Sequence, residues 1–347
     1  MHTQLHFATV STLSDTWTIK DFWGAFKVRW GVGRFSYRMA PGLYTLGTPG
    51  EETPVFVTGN YKLSVDHLRR ALRGRDAWVL VLDTKGINVW CAAGKGTFGT
   101  EELIHRLRTT GLLEKKGKKL LILPQLGAPG VSAPEVEKAT GFRVVYGPIL
   151  AKDIPEFLDS GLKATEQMRT VRFPLAERIK LIPIELVGLM KPALIMVGFL
   201  TLLGVFLLRG SPHLGGKAIP WGEAFLVSLI TFLPILPASV LGVILFPILL
   251  PLLPGRAFSL KGAWLTLIGI GIYGLVRFGF PPPLSVVPYS FLLGGIVSFL
   301  AMNFTGSTPF TSFSGVLKEM ETAVLLQILS FFVGTLWLLI DLVRKTF

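Results

Sequence analysis

The chain has 347 residues, a formal net charge of +13, a half-hydrophobic composition and a mean hydropathy of +0.55, too apolar for an ordinary soluble protein. Its single cysteine, Cys91, excludes an intramolecular disulfide framework and any four-cysteine zinc or iron–sulfur site built from this chain alone. The basic residues are not interleaved with aromatics along one stripe, so the charge does not point to nucleic acid.

The apolar excess is uneven. Residues 1–165 are mixed and charged, 166–185 read as a basic juxtamembrane linker, and 186–347 are long apolar runs with short polar joints. An α/β domain followed by an all-helical transmembrane domain is the predicted organisation. Residues 1–7 lack the basic and apolar regions of a secretory signal, so the α/β domain is expected in the cytoplasm.

In chain order, short apolar runs at 54–57, 77–82, 120–123 and 143–146 read as strands, with helical segments at 65–72, 100–109, 133–139 and 154–158. Continuous apolar strands alternating with helices predict a mostly parallel, Rossmann-like sheet covered on both faces. The segments after the strands are Thr58-Gly59-Asn60-Tyr61, Asp83-Thr84-Lys85-Gly86, Pro124-Gln125-Leu126-Gly127-Ala128-Pro129-Gly130 and Gly147-Pro148. Ligands of open α/β sheets bind beyond the carboxyl ends of the strands, so these loops are expected to converge on one site. Their glycines would let the backbone approach a large flat ligand. The run from Glu114 to Lys119 reads as a solvated loop or as a docking patch for an acidic partner.

Two motifs are look-alikes. Gly94-Lys95-Gly96-Thr97-Phe98-Gly99 matches G-x-G-x-x-G, but about a dozen residues separate it from the strand that a dinucleotide turn follows directly. A phosphate-binding loop fails as well, because Val89 replaces its first glycine and Gly96 its hydroxyl residue.

Cys91 lies in Asn88-Val89-Trp90-Cys91-Ala92-Ala93-Gly94-Lys95. Asn88 is a favoured N-cap and Gly94 or Gly96 a stop, which predicts a helix of under two turns needing packing or a ligand to persist. Cys91 would fall in its first turn, where free N–H groups favour a thiolate, with Lys95 on the same face. Ala92, Ala93 and Gly94 would let a planar cofactor lie against the helix, with Trp90 packing elsewhere. Two readings stand: a small buried hydrophobe, or an activated sulfur acting as nucleophile, redox sensor or soft-metal ligand. A Cys–His pair would need His67 or His105 brought to it by folding.

Five apolar stretches, at 186–208, 224–253, 263–280, 286–302 and 323–343, approach or exceed the roughly 20 residues that cross a bilayer. The second is overlong and carries Pro234, Pro237, Pro247 and Pro251, so it is expected to be kinked or partly re-entrant. Lys163, Arg169, Arg172, Arg178 and Lys180 precede the first span and Lys191 lies near its start, predicting a cytoplasmic amino-terminal side, contact with anionic lipid headgroups and an outside carboxyl terminus. Lys217 and other later charges fix nothing independently, and no span carries an ionisable residue near its centre, which favours an anchor over a transporter.

The stretch Asn88 to Lys95 is similar to the N-(V/I)-W-C-A-(A/G)-G-K signature of the HgcA family, membrane-anchored corrinoid proteins of microbial mercury methylation. The segments Thr58-Gly59-Asn60 and Gln125-Leu126-Gly127-Ala128 also resemble family features. The resemblance extends over the whole chain, with a cobalamin-binding domain related to that of the corrinoid iron–sulfur protein large subunit and then five spans. It implies a cobalamin or related corrinoid held by residues 88–95, 58–60 and 125–128. Cys91 would be the lower cobalt ligand, since the D-x-H-x-x-G motif breaks at Asp66-His67-Leu68. It further implies a methyl-tetrahydrofolate-type donor, Hg(II) as methyl acceptor, and a separate [4Fe-4S] ferredoxin of the HgcB type as reductant. A corrinoid carrier with another acceptor, and a transporter or sensor with a cytoplasmic ligand domain, are the competing readings.

Overall fold

The computed structural model describes residues 10–114, 117–210, 219–279, 283–304, 310 and 313–346. Residues 1–7, Lys115, Lys116, Lys217 and Phe280, which entered the readings above, lie outside them. The chain forms two compact units, residues 1–171 and 172–347.

In the first unit β1 (Ser11–Thr12) leads to α1 (Ile19–Arg29), β2 (Gly42–Leu46), β3 (Val55–Gly59), α2 (Lys62–Ala71) and β4 (Ala77–Leu82). Then come α3 (Val89–Gly94), α4 (Thr100–Thr109), β5 (Leu120–Leu123), α5 (Ala133–Thr140), β6 (Arg143–Tyr146), α6 (Ile154–Asp159) and α7 (Glu166–Arg169). The six strands lie in the order β1-β2-β4-β3-β5-β6. From β4 to β6 neighbours are parallel, whereas β2 runs antiparallel to β4 with Leu43 opposite Leu80. The edge β1–β2, and α1 between them, are additions to the predicted parallel sheet.

The central strands β3, β4 and β5 are buried along their whole length because both faces are covered. Along β4, Trp78, Leu80 and Leu82 enter a core with α3, α4 and α5, while Ala77, Val79 and Val81 enter one with α2 and α6. Local chemistry ends the helices where the chain must turn. α4 has Glu101 and Glu102 in its first turn and Arg106 and Arg108 in its last, matching the helix dipole. α5 ends on Gly141 in the left-handed conformation.

The second unit contains α8 (Leu175–Ile179), α9 (Ile182–Gly210), α10 (Trp221–Phe232), α11 (Ile235–Leu249), α12 (Phe258–Phe278), α13 (Val287–Asn303) and α14 (Phe313–Thr346). Five segments are long and apolar enough to cross a membrane: Leu175–Gly210, Trp221–Leu249, Phe258–Phe278, Leu284–Asn303 and Leu317–Arg344. The overlong apolar stretch resolves into α10 and α11, which meet at Leu233-Pro234 and both pack on α9. Pro234 ends the helical hydrogen bonding there, and a new helix starts at once. Residues expected to form a linker are helical in α7, α8 and the start of α9. A mostly apolar cavity of about 640 Å3, lined in part by Leu189, Phe246, Gln327 and Phe331, lies wholly within this unit.

Candidate functional site

The sheet has a switch point. From β3 the chain crosses by α2 to β4 on one side and then returns by α3 and α4 to β5 on the other. The carboxyl ends of β3 and β5 therefore flank the crevice where an open α/β sheet binds ligands. Thr58, Gly59 and Asn60 end one strand, and Gln125 begins the turn after the other.

α3 stands at this edge of the domain. The Asn88 side chain accepts the Cys91 N–H at 2.9 Å, capping the helix as predicted, and the chain leaves through Lys95 and the left-handed Gly96. Val89, Ala92 and Ala93 are buried, whereas Trp90, Cys91, Gly94 and Lys95 are exposed. Two expectations are corrected by this arrangement. Trp90 is left 41% exposed where packing was expected, and Ala92 and Ala93 face the core rather than a ligand. A helix of six residues keeps its place only by burying one face, and its small residues are used for that. The open face is left to Cys91, with room above Gly94, where an added Cβ would meet nothing within 4 Å. The reading of Cys91 as a buried hydrophobe fails: the thiol is exposed and, among the described residues, has no hydrogen-bond partner. Among the described residues no hydrogen bond joins Cys91 to His67 or His105, and the His67 ring lies beside Trp17 with centroids 6.0 Å apart.

The turn Gln125–Gly130 packs directly on α3. Phe98, fully buried, is wedged between them. A Cβ at Gly127 would lie 2.5 Å from the Phe98 ring, and one at Gly130 would collide with the Phe98 carbonyl and Ala93. These two glycines therefore allow close packing of protein on protein and not approach to a ligand. Leu126 and Ala128 are half-buried in the same turn. The Oε1 of Gln125 is buried and, among the described residues, unpartnered, an acceptor aimed at no protein donor.

Asn60 is also committed internally. Its Oδ1 accepts the N–H groups of Thr84 (3.1 Å) and Gly86 (2.9 Å) and the Thr84 hydroxyl (3.0 Å), while its Nδ2 donates to Asp83 (3.1 Å). It thereby staples the end of β3 to the loop after β4. Thr58 is buried in β3, and Gly59 admits the Thr84 side chain, which an added Cβ would meet at 2.8 Å. In this loop Lys85 has a positive φ, and its ammonium donates to Asp83 at 2.7 Å. Chiefly because of that bond, and against the opposing effect of burial, the Asp83 carboxyl is held below the usual carboxylate range. Glu102 completes the latch by accepting the Asp83 N–H at 2.8 Å. Sequence reasoning missed this function of Asp83, Lys85 and Glu102, since partners 19 residues apart leave no local pattern.

Among the described residues no three His, Cys, Asp or Glu side chains gather as a metal site.

The first unit is a mixed α/β domain with a switch-point crevice and the exposed Cys91 in the helix after β4. Residues 33–158 match the family described as CdhD, CO dehydrogenase/acetyl-CoA synthase delta subunit. The chain is similar to the acetyl-CoA decarbonylase/synthase complex subunit gamma of Methanothermobacter thermautotrophicus, 35% identical over 34% of this chain and 26% of that protein. The subunit gamma of Methanopyrus kandleri is 34% identical over 37% of this chain and 28% of its own length. The corrinoid/iron-sulfur protein large subunit of Moorella thermoacetica is 28% identical over 36% and 28%, respectively. The chain thus spans 26% to 28% of the length of these relatives, and the likeness is one of a homologous domain.

Proposed function

We propose that this chain is a membrane-bound corrinoid protein of methyl transfer, with Cys91 as the protein donor to the corrinoid cobalt and Hg(II) as the methyl acceptor. The observation that carries the reading is the lone exposed sulfur of Cys91 on a capped six-residue helix beside the switch-point crevice. A soft donor standing by itself suits a metal whose other positions are filled by a macrocycle. The name of the Moorella relative supports the corrinoid, and the likeness of residues 88–95 to the HgcA signature, followed by five apolar spans, supports Hg(II) as substrate.

When bound, the corrinoid supplies a cobalt–carbon bond that carries the methyl group. The residues of the chain hold and orient it. Asn88 fixes the backbone of Cys91 and so the direction of its sulfur. Gln125, whose Oε1 has no partner among the described residues, would offer an acceptor to the group when bound. Lys95 leaves a positive charge on the exposed side of α3. Cys91 would give the cobalt an electron-rich sulfur donor, which would favour passing the methyl group to an electrophile such as Hg(II). Electrons come from a separate [4Fe-4S] ferredoxin of the HgcB type, because one cysteine cannot hold a cluster, and the methyl group from a methyl-tetrahydrofolate-type donor. The α/β domain faces the cytoplasm from the cell membrane, and the carboxyl terminus lies outside.

The test is the visible spectrum and methylmercury yield of purified full-length protein loaded with corrinoid. Cys91→Ala should shift the bands that report the axial ligand and cut methylmercury formation at least about tenfold, the lower bound for disturbing a metal's ligand shell. Unchanged bands would sink the ligation. A wild-type protein that methylates other acceptors but not Hg(II) would sink the substrate.

A further inference from the structure

Helix α1 turns the usual amphipathic arrangement inside out. It buries Ala25 and Val28 and sets Gly24 against the Tyr37 ring, while Phe22 and Trp23 are 60% and 53% exposed and Ile19, Phe26 and Trp30 share their side. The rings form a chain of contacts from Phe22 to Trp23, Phe26 and Trp30, with centroids 5.6–6.4 Å apart. Beyond the helix, Val32 and Phe35, the latter 85% exposed, extend the apolar surface. Lys20 and Lys27 are exposed around it, with Arg29 and Arg34 half-buried. The one acidic residue, Asp21, points inward to Lys62 (2.7 Å) and Arg69 (2.8 Å). The outward face is therefore apolar and positive, and it is clamped to the domain.

We propose that this face is an interfacial helix that lies on an anionic lipid bilayer, its rings at the headgroup–acyl boundary and its cations on the lipid phosphates. Large exposed apolar patches mark interaction surfaces, and Trp, Phe and Ile opposed to flanking Lys and Arg are the composition of helices that lie in the membrane plane. The bilayer is also a surface that the chain carries with it. Five spans hold lipid at high effective concentration beside the domain, so a contact too weak to recruit a free peptide suffices. The matched segment begins at residue 33, so α1 lies outside the shared domain, as a device for attachment would. The proposal is independent of the corrinoid reading.

The test uses full-length protein in nanodiscs with Cys91→Ser, a fluorophore on Phe22→Cys or, in a second variant, on Phe35→Cys, and a control label on Glu137→Cys of the exposed side of α5. In discs containing phosphatidylglycerol, labels at 22 and 35 should emit at shorter wavelength and be quenched by aqueous iodide several-fold less than the label at 137. Reversing Lys20, Lys27, Arg29 and Arg34 to Glu should bring quenching up to the control value. Equal quenching at all three positions in the anionic discs would overturn the proposal. So would shielding that persists in a lipid-free polymer, which would mean the face packs on this chain, or shielding seen only in native membranes, which would assign it to a protein partner.

Discussion

Cys91 and Asn88 show how one hydrogen bond can serve a site. The Asn88 side chain provides the bond given for the Cys91 N–H, so Asn88→Ala opens the first turn of α3. Loss of a cap of this kind costs about 1 kcal/mol, which predicts roughly fivefold faster hydrogen exchange at Cys91 with β4 unaffected. Equal exchange in both proteins would remove the cap from the argument. Gly130 predicts a larger effect. A methyl group there meets the Phe98 carbonyl, which is backbone and cannot rotate away, so Gly130→Ala should cost about 1–3 kcal/mol and part α3 from the turn that supports it. An unfolding midpoint equal to wild type would show that the two elements have slack.

At the scale of elements, α1 is held by a partly buried charge network as well as by the packing of Ala25 and Val28. Lys62 and Arg69 each bridge Asp21 and Asp66, and the Asp66 side chain is nearly inaccessible. Burial by itself would raise the Asp21 pKa, but hydrogen bonds from Lys62, Thr18 and Arg69 outweigh it and hold the carboxyl far below its ordinary range. At Lys62 burial by itself would lower the pKa, but hydrogen bonds to Asp21 and Asp66 outweigh it and hold the ammonium above its ordinary value. A depressed carboxylate stabilises the fold above its unfolded pKa and loses that contribution as pH falls through the folded value. A raised lysine contributes below its unfolded pKa and loses it as pH rises through the folded one. The attachment of α1 should therefore hold constant from about pH 5 to 9, between the ordinary Asp and Lys values, and weaken only outside that range. Exchange of the α1 amides at pH 4 and 7 checks it, and release already at pH 5 would contradict the geometry. This helix was absent from the sequence reading, although Thr18 and Asp21 form a capping box that announces its start. Its apolar residues fall at helical spacing, a pattern that ordinarily marks a face turned to the core, and here that face is turned outward. Strands β3, β4 and β5 were legible because burial on both faces leaves unbroken apolar runs, and half-buried β6 because Val144-Val145-Tyr146 are β-branched and aromatic. β2 was not, since Gly42-Leu43-Tyr44-Thr45-Leu46 covers one edge and mixes polar with apolar residues. At the site, the cap and the extent of α3 were legible because they are local. The commitments of Asn60, Gly127 and Gly130 depend on residues far along the chain.

For the whole molecule, the question is whether the two units need each other to fold. Among the described residues, the apolar cores of the first unit, which hold Phe98, Phe142 and Phe157, are built from Val10 to Met168, and those of the second from Phe173 to Val343. The second has its own internal stitching: Arg178 donates to the carbonyls of Pro247 (2.6 Å) and Ile248 (2.8 Å), and Lys261 to those of Leu250 and Leu253, covering the open end of α11 and the chain just beyond it. Arg178→Ala would leave two of these carbonyls without their donor and should lower the unfolding midpoint of the helical unit, by an amount set by about 1–3 kcal/mol per unsatisfied group, without disturbing the sheet. A fragment ending at Val171 carries both cores of the α/β unit and every strand pair. It should therefore unfold in one cooperative transition and keep the exchange protection of β4. It should also carry α1 with its aromatic face bare, so that it associates with itself or sediments with anionic vesicles, and replacing Phe22, Trp23 and Phe26 with Ser should make it monomeric without moving its midpoint. A fragment without cooperative unfolding would mean that the cores are closed in the full chain by contacts from the helical unit. A soluble, monomeric wild-type fragment would mean that the aromatic face is not adhesive, and the bilayer would lose its reason to hold it.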